Sequence, residues 1–450
     1  MTFSTSTPAS TLFPRLSRLA LVISLLVLGL VAATTRAEDR SIAITPDPAH
    51  TVYRPGEAVG WTVSVRGLEL PEVTYVLKQG GMVDVGRGRV KLTGGLGRIE
   101  TVIQDPGWYL VESSIQSTNA KPIKAVGGAV VSPESFKPAQ PRPRDFDAFW
   151  KKQIARLKSI PANPQITPVD IGKPEVEYSK ITMDNIGGTH IQGQLAKPTA
   201  ANGKKLPAML IVQWAGVYPL QKDWIIWHAR DGWLVLDINA HDLPIDEKEE
   251  FYRAQSEGPL KDYPAIGNDS RETSYFLRMY LSCYRAAQYL VERPDWDGKT
   301  LVVTGGSQGG LQSIVTAAIH PRITALMASV PAGCDLNGPL ANRLPGWPMW
   351  YNQVRDKDPA KVREAARYFD VVNFAPKVHC AALVGVGLID TVCPAPGVYA
   401  AWNQFKGPKE IVPLPVGEHG EKNGSHAPYN ARFKAWREAL VHGELPAIPK

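Results

Sequence analysis

The chain has 450 residues, 44% of them hydrophobic, and a formal net charge of +7 at pH 7. This length allows about two to three domains with sizeable cores. The basic residues form no long run and are not interleaved with aromatic residues, so we expect no nucleic-acid partner.

Residues 1–37 have the layout of a secretory signal peptide. Arg15 and Arg18 precede an apolar run over residues 19–33, and Thr35-Arg36-Ala37 offers small residues around a cleavage point. The apolar run is short for a membrane span, although an uncleaved anchor helix is the alternative. We predict cleavage after Ala37 or Ala33 and export to the periplasm or the extracellular space, without membrane association afterwards.

Residues 38–131 predict a small β-sandwich of immunoglobulin-like size. Short alternating runs, such as residues 59–65 and 73–77, are separated by turn signals that contain glycine. No catalytic group of residues stands out, so this module serves either for packing or for sugar binding. Residues 132–144 are rich in proline and are expected to form a linker.

Residues 145–450 predict a doubly wound α/β sheet, because strand-like and helix-like segments alternate from about residue 205 to 440. The continuous apolar run over residues 208–213 is typical of a buried parallel strand. It leads into a loop of small residues around Ala215-Gly216-Val217.

One stretch of this domain carries the signature of a nucleophile. Residues 300–304 predict a strand, residues 311–319 a helix, and Gly305-Gly306-Ser307-Gln308-Gly309 between them fits the Gly-x-Ser-x-Gly elbow of α/β-hydrolases. The elbow would expose the hydroxyl of Ser307 and leave the N–H of Gln308 free to hold an oxyanion, with the N–H of Val217 as second donor. An ordinary serine in a glycine-rich loop is the alternative.

An elbow of this kind needs a carboxylate and a histidine, in that chain order. Asp390 follows the strand-like run over residues 381–387, and His419 follows the last strand. Both would therefore lie at the carboxyl edge of the sheet. His426 on the same loop remains an alternative base, and the alternative acids are Asp335 and Asp370.

This set of residues predicts acyl transfer through a serine ester, for which no metal or organic cofactor is required. The cysteines show no metal-site spacing, and they could form a disulfide or remain buried thiols. They are Cys283, Cys334, Cys380 and Cys393.

The segment from about residue 143 to 439 resembles the acetyl xylan esterases and cephalosporin-C deacetylases of carbohydrate-esterase family seven. The likeness rests on Asp145-Phe146-Asp147-Ala148-Phe149-Trp150, on the elbow, and on Asp390-Thr391-Val392-Cys393-Pro394. It implies an α/β-hydrolase fold and deacetylation of short acetylated sugars such as xylo-oligosaccharides, with Ser307, Asp390 and His419 as the triad. The family's usual hexamer also makes a homo-oligomer possible.

The chain departs from the family pattern at three places. Asn239-Ala240-His241 stands where the family usually has Arg-Gly-Gln, Ala215-Gly216-Val217 replaces His-Gly-Tyr, and Glu418 separates a glycine from His419. These departures affect substrate range and assembly. A peptidase or general carboxylesterase of the same fold, and a non-catalytic binding protein, are the competing functions.

Three aromatic residues are candidates for sugar binding. Trp347 and Trp350 lie in a proline-rich stretch between the elbow and Asp390, and Tyr218 follows the oxyanion loop. Aromatic faces suit the C–H groups of a sugar ring. A hydrophobic plug beneath a loop is the alternative for the two tryptophans.

Overall fold

A computed structural model describes residues 40–47, 51–116, 121–201 and 203–449. The predicted signal peptide lies outside these residues. Within them, no helix combines the length and the apolar character needed to span a membrane.

The described residues between 41 and 131 form two packed sheets. One has the strand order β1-β3-β6 and the other β2-β8-β7-β4-β5. Trp61 and Val63 of the first sheet and Tyr109 and Val111 of the second share one buried cluster, so the two sheets enclose a core of their own. The strands are β1 (Ser41–Pro46), β2 (Val52–Tyr53), β3 (Ala58–Arg66), β4 (Glu72–Gln79), β5 (Val83–Lys91), β6 (Leu96–Val102), β7 (Gly107–Ile115) and β8 (Ile123–Val131). We call this unit the N-terminal module.

The N-terminal module is joined to the rest of the chain by a second buried surface. Side chains alternate between the two faces of a strand. Trp108 and Leu110 of β7 and Val130 of β8 therefore point away from the module core, and they belong to the main core of the following domain. The module is a packed part of the molecule.

The proline-rich segment after the module is also held in place. The N–H of Ala139 donates to Asp335 at 2.8 Å, and the side chain of Arg142 donates to the carbonyl of Asn373 at 2.7 Å. Asp335 forms a buried ion pair with Arg343, which donates in addition to the carbonyl of Lys137. The predicted linker thus lies bound along the domain that follows it.

This following domain is built on a nine-stranded sheet with the order β17-β16-β15-β14-β12-β13-β11-β10-β9. The strands from β12 to β17 pair in parallel, and β9, β10 and β11 add an antiparallel edge. The nine strands are β9 (Gln165–Pro168), β10 (Val176–Asp184), β11 (His190–Pro198), β12 (Leu206–Val212), β13 (Leu234–Ile238), β14 (Trp296–Gly306), β15 (Ala325–Ser329), β16 (Ala381–Gly387) and β17 (Lys409–Leu414).

Helices cover both faces of this sheet, as a doubly wound architecture requires. Those of eight or more residues are α1 (Phe146–Lys158), α2 (Asp223–Arg230), α3 (Glu249–Glu257), α4 (Tyr275–Glu292), α5 (Gln308–Ile319), α6 (Pro359–Ala366), α8 (Ala395–Trp402) and α9 (Ala427–Leu440), and α7 (Val371–Phe374) is a single turn. Tyr280 of α4 and Ile314 of α5 pack with Leu210 in the larger core. Ile225 of α2 and Trp436 of α9 pack with Met209 on the opposite face.

All four cysteines are free thiols. Cys283, Cys334 and Cys393 are buried, and Cys380 is half-buried. Burial raises the pKa of Cys283 and of Cys380 to about 12, so these thiols stay protonated near neutral pH. Of the two alternatives predicted from the sequence, the structure has the unpaired thiols.

Candidate active site

Ser307 lies at a sharp turn between β14 and α5. Its backbone has φ 54° and ψ −120°, a conformation that is strained for a residue with a side chain. Close packing at the turn explains the neighbouring glycine, because a Cβ atom on Gly309 would lie 2.3 Å from the carbonyl oxygen of Val212. Strand and helix can thus approach closely while the hydroxyl of Ser307 remains half-exposed.

The structure brings Ser307, His419 and Asp390 into one hydrogen-bonded chain. The Oγ atom of Ser307 lies 2.8 Å from Nε2 of His419, and Nδ1 of His419 lies 2.9 Å from Oδ2 of Asp390. These distances suit proton transfer from a serine to a histidine whose tautomer is set by a carboxylate.

Asp390 is held rigidly at this position. Its side chain is fully buried, and Oδ1 accepts the N–H groups of Val392 and Cys393, each at 2.8 Å. These bonds satisfy one carboxylate oxygen and leave the other for His419. Both oxygens of this buried carboxyl group therefore have hydrogen-bond partners.

The alternative residues have other contacts. Nε2 of His426 donates to the carbonyl of Glu418 at 3.0 Å, so this histidine supports the loop on which His419 sits. Asp370 caps the short helix α7 and accepts the N–H groups of Asp335 and Leu336. Neither acid alternative has a hydrogen bond to His419 among the described residues.

The two predicted oxyanion donors lie on elements that flank Ser307. Gln308 is the first residue of α5, where a backbone N–H has no partner within the helix. Val217 lies in the loop after β12 and is half-buried. Within the described part of the chain, neither N–H has a protein acceptor. Both are thus available to a ligand.

Two further residues hold the predicted oxyanion loop around Gly216, and no sequence motif indicated their role. The Tyr263 hydroxyl donates to the side-chain oxygen of Gln308 and accepts the N–H of Gly216 at 3.4 Å. Nε2 of His241 donates to the carbonyl of Gly216 at 3.0 Å, and its Nδ1 lies 2.6 Å from the hydroxyl of Tyr275.

Burial lowers the pKa of His241 to about 4, so the ring is neutral and can donate through one nitrogen and accept through the other. Gly216 itself has φ 128°, which only glycine adopts without strain. In the sequence, the only indication of the contact between His241 and Gly216 was the departure from the family pattern at His241.

Of the three aromatic candidates, Trp350 is not available to a substrate. Its side chain is 1% exposed, and its Nε1 donates to the carbonyl of Pro264 at 2.9 Å. The prediction of a sugar-binding role for Trp350 is therefore wrong, because the ring fills the core between the loop and α4. Trp347 is half-buried and stacks on Phe276, with ring centroids 6.0 Å apart.

Tyr218 is half-buried and closes the oxyanion loop on itself. Its hydroxyl donates to the carbonyl of Trp214 at 2.9 Å, and the two rings stack with centroids 5.2 Å apart. The exposed part of this pair is mainly Trp214, whose side chain is 47% exposed. Tyr218 and Trp347 remain predicted substrate contacts.

One group of potential metal ligands occurs among the described residues. Donor atoms of Asp390, Cys393 and His419 lie within 4.8 Å of one another. Burial raises the pKa of the Cys393 thiol well above its ordinary value, which keeps it protonated and makes it a poor ligand. The expectation of a cofactor-independent reaction stays a prediction.

Comparison with known proteins identifies the family. Residues 132–437 match the model of the acetyl xylan esterase family. The chain is 33% identical over 383 residues to acetyl esterase Axe7A of Xylanibacter ruminicola, an alignment that covers 83% of this chain and 85% of that protein. The aligned part of this chain is longer than residues 145–450, the predicted catalytic domain, and it therefore includes part of the N-terminal module.

Solved structures show the same fold. The acetyl xylan esterase from Paenibacillus sp. R4 is 22% identical, with a TM-score of 0.57 over 67% of this chain and 97% of its own. Acetyl xylan esterase 1 from Thermoanaerobacterium sp. JW/SL YS485 is 20% identical, with a TM-score of 0.59 over 68% and 97%. The predicted α/β-hydrolase fold is confirmed. The chain belongs to the acetyl xylan esterase family and is a carboxylic ester hydrolase with a serine-esterase fold.

Proposed function

We propose that this protein is an exported serine esterase that removes acetyl groups from acetylated carbohydrates such as xylo-oligosaccharides. The observation that carries the proposal is the chain of hydrogen bonds from Ser307 through His419 to Asp390, with both links under 3 Å. The family assignment and the resemblance to a named acetyl esterase support the acetyl group as the transferred acyl group.

The reaction would proceed in two halves. His419 takes the proton of Ser307 as the oxygen attacks the ester carbonyl, and the N–H groups of Gln308 and Val217 stabilise the oxyanion. His419 then returns the proton to the leaving sugar oxygen, which leaves an acetyl group on Ser307. Water activated by His419 releases acetate and restores the enzyme.

The nucleophile is tested with Ser307→Ala. The variant should fold like the wild type and lose at least about a thousandfold in kcat on nitrophenyl acetate, since the covalent step is removed. Circular dichroism and the melting temperature serve as folding controls. Wild-type turnover in the folded variant would show that another group attacks the ester.

The substrate class is tested with a panel of esters and amides. Free acetate should appear from acetylated xylo-oligosaccharides, whereas peptide amides should not be cleaved. Cleavage of peptides at a comparable kcat/KM would favour the peptidase function. Equal activity on long-chain esters would favour a general carboxylesterase, and no turnover of any ester would favour a binding protein.

Export is tested on protein from the native host. N-terminal sequencing should find a mature chain that starts near Glu38 or Thr34. A mature chain that retains residues 1–33 would instead indicate a membrane anchor.

A further inference from the structure

A cavity of about 780 Å³ lies between the N-terminal module and the catalytic loops. The module contributes residues 42–45 of β1 and 124–126 of β8. The catalytic domain contributes residues 389, 391 and 392 around Asp390 and the loop that carries His419. The cavity therefore has one wall from each part of the chain, and the catalytic histidine forms part of it.

Strand alternation identifies which module side chains face this cavity. Ile42 and Ile44 of β1 are 7% and 3% exposed in the module core, so Ala43 between them and Thr45 after them point outwards. Both are exposed and line the cavity. A larger side chain at Thr45 would enter the cavity without disturbing the module core.

The same reasoning applies to β8. Ala125 is buried in the module core, so Lys124 and Val126 lie on the opposite face together with Gly128. That face contacts the catalytic domain, since a Cβ atom on Gly128 would lie 2.2 Å from the carbonyl oxygen of Leu388. Lys124 lies on the same face as Gly128, four residues earlier in β8, and it lines the cavity.

The chemistry of acyl transfer assigns a role to a cavity that borders His419. The histidine that accepts the serine proton later donates it to the leaving alcohol. The alcohol half of an ester must therefore lie beside His419 when the bond breaks. The cavity borders His419, so it is the space into which a large alcohol would extend.

The polar groups in the cavity suit a polyhydroxylated alcohol. Glu418 and Lys422 form an ion pair with each other. Lys124 is exposed and has no ion-pair partner within the described residues, which leaves three N–H donors for a ligand. Thr45, Thr391 and Asn423 add hydroxyl and amide groups to the lining.

We propose that the N-terminal module forms one wall of the leaving-group site, and that Lys124 and the outer face of β1 select esters of large, hydroxyl-rich alcohols. The acetyl xylan esterase family match begins at residue 132, so this wall lies outside the matched region. The proposal rests on the proposed function in one respect, namely that Ser307 and His419 perform acyl transfer.

The test varies the size of the alcohol while the acyl group stays acetyl. Thr45→Trp fills the cavity from the module side, and Lys124→Glu reverses the charge of the side chain at position 124. The quantity to measure is kcat/KM, for methyl acetate and for an acetylated xylo-oligosaccharide. Thr45→Trp should lower the value for the oligosaccharide by at least about tenfold, and Lys124→Glu by about fivefold. Methyl acetate should change by less than about twofold, because its alcohol does not reach the module.

Matched variants control for bulk and charge. Thr62→Trp places the same ring on the exposed face of β3, opposite Thr45 but outside the cavity lining. Lys91→Glu reverses a charge on β5, which two strands separate from β8. Both controls should leave the ratio of the two specificity constants unchanged. A ratio that stays at the wild-type value in Thr45→Trp and Lys124→Glu overturns the proposal.

The experiment also distinguishes a failure of this proposal from a failure of the proposed function. If the wild type hydrolyses methyl acetate but no acetylated sugar, the carbohydrate assignment fails. The ratio is then measured with naphthyl acetate, whose alcohol is also large. A selective loss with naphthyl acetate in Thr45→Trp would still support a leaving-group wall, and an unchanged ratio would overturn it.

Discussion

The Nε1–H of Trp108 in the N-terminal module donates a 2.8 Å hydrogen bond to the carbonyl oxygen of Leu388, two residues before Asp390. The indole is fully buried, and it packs in the core of the catalytic domain. The module therefore directly supports the segment that carries Asp390, the proposed catalytic carboxylate.

Trp108→Phe tests this support. The substitution keeps most of the ring but leaves the Leu388 carbonyl without its donor, which should lower the free energy of unfolding by about 1–3 kcal/mol. Urea unfolding measures the loss, and kcat on nitrophenyl acetate should fall at the same time because Asp390 is less firmly held. Trp227→Phe, at a side chain that is 64% exposed, is the control. Equal stability of the two variants would contradict the expectation.

His419 and His426 can be separated by mutation. His419→Ala should cost nearly as much activity as Ser307→Ala, because the members of a triad act as a unit. His426→Ala removes only the bond to the carbonyl of Glu418, so kcat should fall by less than about tenfold. Nitrophenyl acetate hydrolysis gives the ranking, and the reverse order would make His426 the base.

His241 should affect catalysis through the oxyanion loop. His241→Ala removes the donor to the Gly216 carbonyl, and kcat should fall by about tenfold to a hundredfold, short of the loss of a direct oxyanion donor. The fall should be similar for all acetate esters, since the oxyanion is common to them. Tyr275→Phe, which removes the hydroxyl that pairs with Nδ1 and accepts from Arg278, should have a smaller effect. A loss confined to KM would contradict a role in holding the loop.

Trp347 and Trp350 should respond differently to truncation. Trp350→Ala should destabilise the protein by about 3–5 kcal/mol, because a fully buried indole is lost from the core. Trp347→Ala should lower kcat/KM more for acetylated xylo-oligosaccharide than for nitrophenyl acetate, with a smaller change in melting temperature. An equal loss on both substrates would make Trp347 a packing residue as well.

The buried carboxyl of Asp237 should make stability dependent on pH. Burial raises its pKa to about 7, so between about pH 4 and 7 the folded group holds a proton that the unfolded group has lost. Its contribution to the free energy of unfolding is therefore lost as the pH rises through this window, by at most about 1.4 kcal/mol per pH unit. Asp237→Asn should flatten the slope, and Asp84→Asn, at an exposed site, should not. Parallel slopes in all three proteins would contradict this.

The local order of residues was sufficient to predict the elbow and the sheet around it. The run before Ser307 and the glycines beside it determine a strand, a turn and a helix through contacts within a few residues. The position of Asp390 was predictable for a similar reason, since a residue just past a parallel strand lies at the carboxyl edge of the sheet. The resemblance to the family that the sequence shows rests on these same local motifs.

Long-range packing determined which histidine contacts Ser307 and which tryptophan is buried. His419 and His426 are seven residues apart on one loop, and only the folded loop places the first within 2.8 Å of Ser307 and turns the second towards the backbone. Trp350 resembles a sugar platform in the sequence, but its partners Pro264 and Phe276 come from distant segments that bury it.

In the N-terminal module, too, local sequence predicted some features and tertiary packing determined others. The alternating runs predicted its strands, but the fully apolar run from Trp108 to Val111 is explained only by two cores, one on each face of β7. The sequence by itself determined what can be read within a strand, a turn or a motif, because those contacts join near neighbours. Only the tertiary structure decided that the module borders His419, because the contact between Trp108 and Leu388 joins residues 280 positions apart.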